Sequence, residues 1–312
     1  MSTVRRLKTK KSVDPQMNAS LFLQYQAGRG LVPKTINVQR NILDILLAQV
    51  HCDFNDVSAM TQVVAKVLAG KNEAYYNKML TTYRQFFEYL IAEEILLQNP
   101  VTRFKYRRET SQIVFHSEET IRKFLNLIDK ATFAGLRDYT FCILMLDTGI
   151  RPSEAVQICI DDISVENMQV RVRKEYAKTR RERTLPISVQ TLHLLQKLIS
   201  LRADDWRYNV PIICAYDGRK LATTGIRDRF EDYSRMLGTR ITPYHLRHSF
   251  ALYFIKNGGD AFALQRIMGH AKLDMTRVYV NLGSDDVAEK HKQATPLHNF
   301  INSKRVINIK KR

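Results

Sequence analysis

Apolar residues recur along this chain at two intervals, and the change between them divides it. From about residue 13 to 98 the interval is close to the helical period of about 3.6. LFLQYQ (21–26) is a short amphipathic turn. KTINVQRNILDILLAQV (34–50) carries Ile36, Val38, Ile42, Leu43, Ile45, Leu46 and Val50, and predicts a helix. Pro33 precedes it, where a missing N–H is tolerated. TQVVAKVLAG (61–70) predicts a third helix, closed by Gly70. Residues 72–96 predict a long fourth one through Tyr76, Leu80, Tyr83, Phe87 and Leu90.

The period breaks over QNPVTRFKYRRETSQ (98–112), which carries Arg103, Lys105, Arg107 and Arg108 and is expected to be a basic linker. Helical spacing resumes at FHSEETIRKFLNLI, with Ser117 as N-cap and Glu118 and Glu119 in the first turn. RDYTFCILMLDTGI (137–150) is expected to be a buried helix ending near Gly149, and a further helix should begin at Pro152 or Ser153. Residues 168–187 alternate apolar and polar, so they predict a β-hairpin with a basic turn. From Val189 onward the pattern is again helical. Segment 242–259 closes on two glycines, 260–270 opens on an aspartate cap, and LDMTRVYVNL places Tyr279 on a short helix that Asp274 caps. The expected fold is mainly α with a small β-sheet. The expected domains are a basic flexible arm (1–12), a helical unit (13–98), the linker (99–114), a second α+β unit (115–284) and a tail (285–312).

Composition narrows the function. The chain has 312 residues, 45% hydrophobic, with a formal net charge of +18. That is a folded protein built to meet a polyanion, most often nucleic acid. No apolar run is long enough for a membrane span, and MSTVRRLKTKK lacks the apolar core of a secretory leader. The four cysteines are scattered, with no CxxC, so they are expected to be reduced thiols in a cytoplasmic, nucleoid-associated protein. No metal site or cofactor is expected.

Five short elements then carry the candidate chemistry: DTGIRPSE with Arg151, AKTRRER with Lys178, Arg180, Arg181 and Arg183, YHLRHSF with Tyr244, His245, Arg247 and His248, the Gly269-His270 pair, and Tyr279. Singly each has an ordinary structural explanation. Together they supply arginines, a lysine, histidines and a tyrosine without a carboxylate cluster, which suits in-line attack on a phosphodiester without metal. Two guanidinium forks can bind the non-bridging oxygens and remain charged at working pH. Such donors contribute about 3–4 kcal/mol each when preorganised, by analogy with oxyanion holes. The tyrosine can attack if an acceptor lies beside its hydroxyl, and a lysine can protonate the leaving 5′-oxygen.

In order and spacing these elements resemble the tyrosine recombinases, such as phage integrases, Xer-type and transposon recombinases. TGIRPSE resembles the first arginine box, with Arg151 as its arginine. AKTRRERTLPI resembles the hairpin lysine segment, with Lys178 aligning best and Lys174 as the alternative. YHLRHSFA resembles the HxxRH box, giving Arg247. MGH and the tyrosine nine residues later resemble the third box and nucleophile, giving His270 and Tyr279. GLVPKTI and RQFFEYLIAEEILLQNP are similar to phrases of the family's helical core-binding domain. One departure stands out: Tyr244 occupies the first position of the HxxR box. We expect it to act as a hydrogen-bond donor, with Lys178 and His270 handling more of the proton traffic; Glu154 orients an arginine or is an ordinary surface carboxylate.

The resemblance implies a site-specific DNA recombinase acting through a 3′-phosphotyrosyl link. It implies a double-stranded recombination site as partner, a homo-tetramer on two sites (monomer or dimer off DNA), room for an accessory DNA-bending protein, and a tail after Tyr279 exchanged between protomers. Lys174, Arg180, Arg181, Arg183, His245, Arg103, Lys105 and Arg107 are the expected DNA contacts. The expected role is integration and excision, or resolution, of a mobile element. A housekeeping Xer-type resolvase, a type IB topoisomerase and a non-catalytic regulator stand as alternatives.

Overall fold

The computed structural model describes residues 14–109, 113–203, 206 and 208–283. The arm (1–12), the middle of the expected linker (110–112) and the tail (285–312) lie outside the described residues. The chain forms two compact units, one ending at Gln112 and the other beginning at Ile113.

The first unit is helical: α1 (Pro15–Gly28), α2 (Pro33–Leu47), α3 (Val57–Leu68) and α4 (Glu73–Ala92). Proline stands at N1 of α1 and α2. Asp14, Asp56 and Asn72 cap α1, α3 and α4 by accepting from first-turn amides, which would otherwise be unsatisfied. Phe22, Leu43, Met60, Met79, Phe86 and Phe87 fill the core. Tyr83 is buried among them, and its hydroxyl donates to the Ile42 carbonyl at 3.2 Å. The expected linker begins too early. Val101 is fully buried in this core, Phe104 packs against it, and Thr61 Oγ1 donates to the Pro100 carbonyl at 3.0 Å. Loss of helical period there marks a folded turn, not a free segment. Arg107 is also engaged: its guanidinium lies 3.9 Å over the Tyr76 ring and donates to the Lys71 carbonyl. Arg103 and Lys105 are exposed.

The second unit is mainly α with a small sheet. It runs α5 (Glu118–Asn126), α6 (Phe133–Thr148), α7 (Pro152–Ala155), a 3₁₀ turn (Ile160–Asp162), β1 (Ile163–Ser164), β2 (Gln169–Val172) and β3 (Arg183–Pro186). α8 (Val189–Ser200), α9 (Thr223–Leu237), α10 (Pro243–Lys256), α11 (Ala261–Met268) and α12 (Asp274–Gly283) follow. The sheet is antiparallel in the order β1-β2-β3. Alternation buries Val170 and Val172 of β2 and Leu185 of β3 in one core with Phe141, Leu144 and Met145 of α6. β1 was not foreseen, because two residues are too few to show alternation.

Two further expectations change. The helix after Arg151 lasts one turn. The helical run expected after Val189 is interrupted between α8 and α9, where the described residues include Ile212, Ile213 and Cys214 buried in irregular chain. There the Ile212 amide donates to the Ile158 carbonyl at 2.8 Å. A short apolar run bounded by Pro211 and Gly218 satisfies its backbone across the unit and needs no helix of its own. All four cysteines are free thiols, buried except for the half-buried Cys52.

Candidate active site

The site is assembled around the C-terminal end of α11. Gly149 closes α6 in the left-handed region at φ 60°, and a Cβ there would lie 2.3 Å from the Phe250 ring of α10. That turn delivers Arg151 to the start of α7. Arg151 Nη1 donates to Glu154 Oε1 at 3.0 Å, and the Arg151 amide donates to Glu154 Oε2 at 3.1 Å. α10 is capped by Thr242, whose side chain accepts from the His245 amide. It carries Tyr244, Arg247 and His248 on one face, at spacings of three and four residues.

Helix ends leave carbonyls without partners. At α11, three successive ones are taken by three guanidiniums from different elements. Arg183 Nε donates to the Ile267 carbonyl at 3.0 Å, Arg247 Nη2 to Met268 at 2.9 Å, and Arg151 Nη2 to Gly269 at 2.8 Å. The negative end of the helix dipole favours these cations. Arg247 Nη1 also donates to the Gly149 carbonyl, closing the circuit back to α6. Glu154, 0% exposed, accepts from both Arg151 and Arg183, the latter at 3.1 and 2.5 Å. Burial opposes its charge, but the Arg183 and Arg151 guanidiniums hold its carboxyl below the usual carboxylate range. Arg151 and Arg247 are buried, yet a guanidinium has five N–H donors. Two of Arg151's and three of Arg247's are used by the bonds described, which leaves donors on both for an anion.

His270 follows directly. Its Nε2 stands 3.2 Å from Arg247 Nη2 and its Nδ1 2.9 Å from Thr276 Oγ1. A guanidinium cannot accept, so Nε2 is the acceptor and Nδ1 carries the hydrogen. Burial, then the charges of Arg247 and Arg151, lower the imidazole to about 4, so it is neutral at working pH. On α12, Thr276 and Tyr279 turn inward while Met275 and Val278 are exposed. Tyr279 is 3% exposed, its ring stacked 6.4 Å from that of His270. Its Oη lies 2.6 Å from His248 Nδ1. Burial pushes the phenol up, and the charge of Arg247 draws it back. One cluster therefore presents two guanidiniums with donors to spare, a neutral imidazole and a tyrosine hydroxyl, which is equipment for a phosphate attacked by a phenol.

The family model described as the phage integrase family matches residues 115–285. The chain belongs to the phage integrase family. It is a tyrosine recombinase, an enzyme of DNA strand breakage and rejoining at specific sites. This integrase-family chain is 26% identical over 287 residues to the tyrosine recombinase XerC of Proteus mirabilis, across 88% of this chain and 92% of that one. It is 30% identical over 185 residues to the tyrosine recombinase XerA of Pyrococcus furiosus, across 59% and 63%. Its fold matches the Tn1549 transposon integrase in complex with circular intermediate DNA, with TM-score 0.71 and 19% identity, over 88% of this chain and 98% of that one. It also matches a lambda integrase dimer bound to a COC′ core site, with TM-score 0.72 and 16% identity, over 87% and 96%.

Within the recombinase the expected site residues separate into groups. Arg151, Arg247, His270 and Tyr279 are brought together. Tyr244 is 52% exposed, its ring 6.5 Å from that of His248. Lys174, Lys178, Arg180 and Arg181 are exposed on the loop between β2 and β3. Arg183 is not on that open loop surface but is turned into the site. It opens β3 on the same face as Leu185, and its fork is committed to Glu154 and Ile267. His245 is likewise turned from an open surface into a half-buried pair, its Nδ1 3.0 Å from His116 Nε2. Glu154 is a buried bridge between arginines and not a surface carboxylate. His248 was named with its element but given no role, and Thr276 was not among the expected site residues. His248 could have been found from its place one turn after Tyr244 on the Arg247 face.

Proposed function

We propose that Tyr279 Oη attacks a phosphorus of duplex DNA, forming a 3′-phosphotyrosyl bond as the P–O5′ bond breaks and the 5′-oxygen leaves as a hydroxyl. The 5′-hydroxyl of a partner strand then attacks the phosphotyrosine, and the tyrosine leaves. Bond energy is conserved in the ester, so rejoining requires no nucleotide. Arg151 and Arg247 hold the non-bridging oxygens, and His270, neutral and fixed by Thr276, steadies the Arg247 fork. Lys178, on its exposed loop, protonates the 5′-oxygen once DNA draws the loop in. Tyr244 contributes a donor at the rim. The observation that carries this reading is the shared cluster of two buried guanidiniums with unused donors and the buried hydroxyl of Tyr279.

The enzyme acts on a pair of short duplex sites as a tetramer, with Lys174, Arg180 and Arg181 on the phosphate backbone. Tetramer formation on a Holliday junction is described for lambda integrase, whose fold this chain shares at TM-score 0.70. The role we favour is movement or resolution of a mobile element. Likeness to an Xer-type relative over 92% of its length favours, as a second reading, resolution of replicon dimers.

The test is covalent trapping. The protein is incubated with nicked fragments of its own genomic surroundings, denatured, and the modified residue mapped by mass spectrometry. The expected result is an adduct on Tyr279 at one discrete sequence, absent from Tyr279→Phe. Sites at both ends of one element support the first role, and a single site per replicon the second. Tight binding with no adduct would sink the catalytic reading.

A further inference from the structure

Resting on that reading, one question stays open: which group takes the phenolic proton. We propose that His248, through Nδ1, is the catalytic base for Tyr279, in the place vacated by the tyrosine at 244. Four observations converge. His248 Nδ1 and Tyr279 Oη are 2.6 Å apart, within the reach required of a general base. The two rings are tilted by 32° with centroids 5.9 Å apart, so the contact joins side chains from two separate helices. Tyr244, where the family resemblance puts a histidine, is largely exposed, and no bond from its hydroxyl to Tyr279 is present among the described residues. One helical turn later the same face of α10 brings His248 to the phenol.

The other imidazoles described at the site are committed elsewhere. His270 spends Nε2 on Arg247 and Nδ1 on Thr276, and His245 is paired with His116. Burial, then the charges of Arg247 and His245, lower His248 to about 4, so at working pH it is neutral and Nδ1 can accept. A DNA phosphate held by Arg247 would offset the positive charge of that guanidinium, which together with burial suppresses it. Its basicity then rises when substrate is bound and not before.

The step balances. The Tyr279 O–H bond breaks and an Nδ1–H bond forms, while the Oη–P bond forms and the P–O5′ bond breaks; the 5′-oxygen takes its proton from a different acid. On rejoining, the departing phenolate recovers the proton from His248, so the residue ends as it began.

The experiment measures single-turnover cleavage of a nicked duplex site by the full chain. His248→Asn keeps a hydrogen-bond acceptor near the Nδ1 position but cannot take the proton, and His248→Ala removes both functions. Duplex binding by gel shift reports folding of each variant. We expect binding to be unchanged and cleavage by His248→Asn to fall about 100-fold or more. Its rate should then climb with pH between about pH 6 and about pH 9, as direct ionisation of the phenol takes over. A fluorinated tyrosine of lower phenol pKa at position 279 should restore much of the rate. Cleavage by His248→Asn equal to or faster than the parent would overturn the proposal and leave His248 a latch on a stowed nucleophile. So would a slow variant with the parent's pH profile and no rescue by fluorotyrosine. If His248→Asn fails to bind DNA, the parent chain carrying the fluorinated tyrosine decides: a flattened pH profile supports a base at the phenol, and an unchanged one overturns it. Absence of any Tyr279 adduct in the parent is a separate outcome, which removes the proposed function and this inference together.

Discussion

Tyr244 shows what exposure does to a candidate site residue. The phenol at the rim of the cluster can donate one hydrogen bond to a phosphate oxygen and little more. An exposed donor of that kind is worth about 0.5–1.5 kcal/mol net, so Tyr244→His should change cleavage by no more than about tenfold. Rates on a nicked duplex check this, and a thousandfold loss would mean that the position is rebuilt around tyrosine. Legibility at this scale follows chemistry and distance. Arg151, Arg247, His270 and Tyr279 could be singled out because each lies in a short phrase of fixed order. Glu154 and Arg183 could not be paired, since 29 residues separate them and no period links them. Arg183 belonged by composition to a basic turn, and only its alternation with the buried Leu185 marks it as inward. His248 is legible by helical spacing from Tyr244, but its contact lies on another helix.

Among elements, the α6–α7 junction is the most demanding. A left-handed residue must close α6, and the Phe250 ring fills the space where a side chain would begin. Gly149→Ala should cost about 1–3 kcal/mol for the backbone conformation, with further loss from the ring contact. Thermal unfolding measures the first effect. Cleavage should fall as well, because Arg151 leaves the same turn and Gly149 itself accepts from Arg247. Helices with a clear stripe were legible as elements, and their ends less so. α1 begins at Pro15, earlier than its apolar run, because Asp14 caps it. The folded turn at 99–104 hid because a single buried valine, Val101, makes no pattern, and the irregular stretch between α8 and α9 because burial without period imitates a helix.

For the molecule as a whole, the buried imidazoles tie stability to pH. His248 and His270 ionise at about 4 when folded, against 6.5 for an unperturbed imidazole. Between those values the unfolded chain binds protons that the folded chain refuses, so stability rises with pH across the window and is lost as pH falls through it. The melting temperature should therefore be lower at about pH 5 than at about pH 7, and a His248→Asn, His270→Asn double variant should show a shallower decline. Burial rather than composition creates this coupling, so it could not be read from a chain of eight histidines.

The three carbonyls at the end of α11 have a consequence for the safety of the cell. An enzyme that breaks DNA is most dangerous when half folded, if it can still cut. Here β3, the α6–α7 turn and α10 each deliver a guanidinium to adjacent carbonyls of a fourth segment, directly before His270 in the chain. Loss of any one of them would empty a position in this guanidinium cluster. The arrangement is an interlock: the proposed cutting site exists only with all four segments in place, so a frayed recombinase should fail closed.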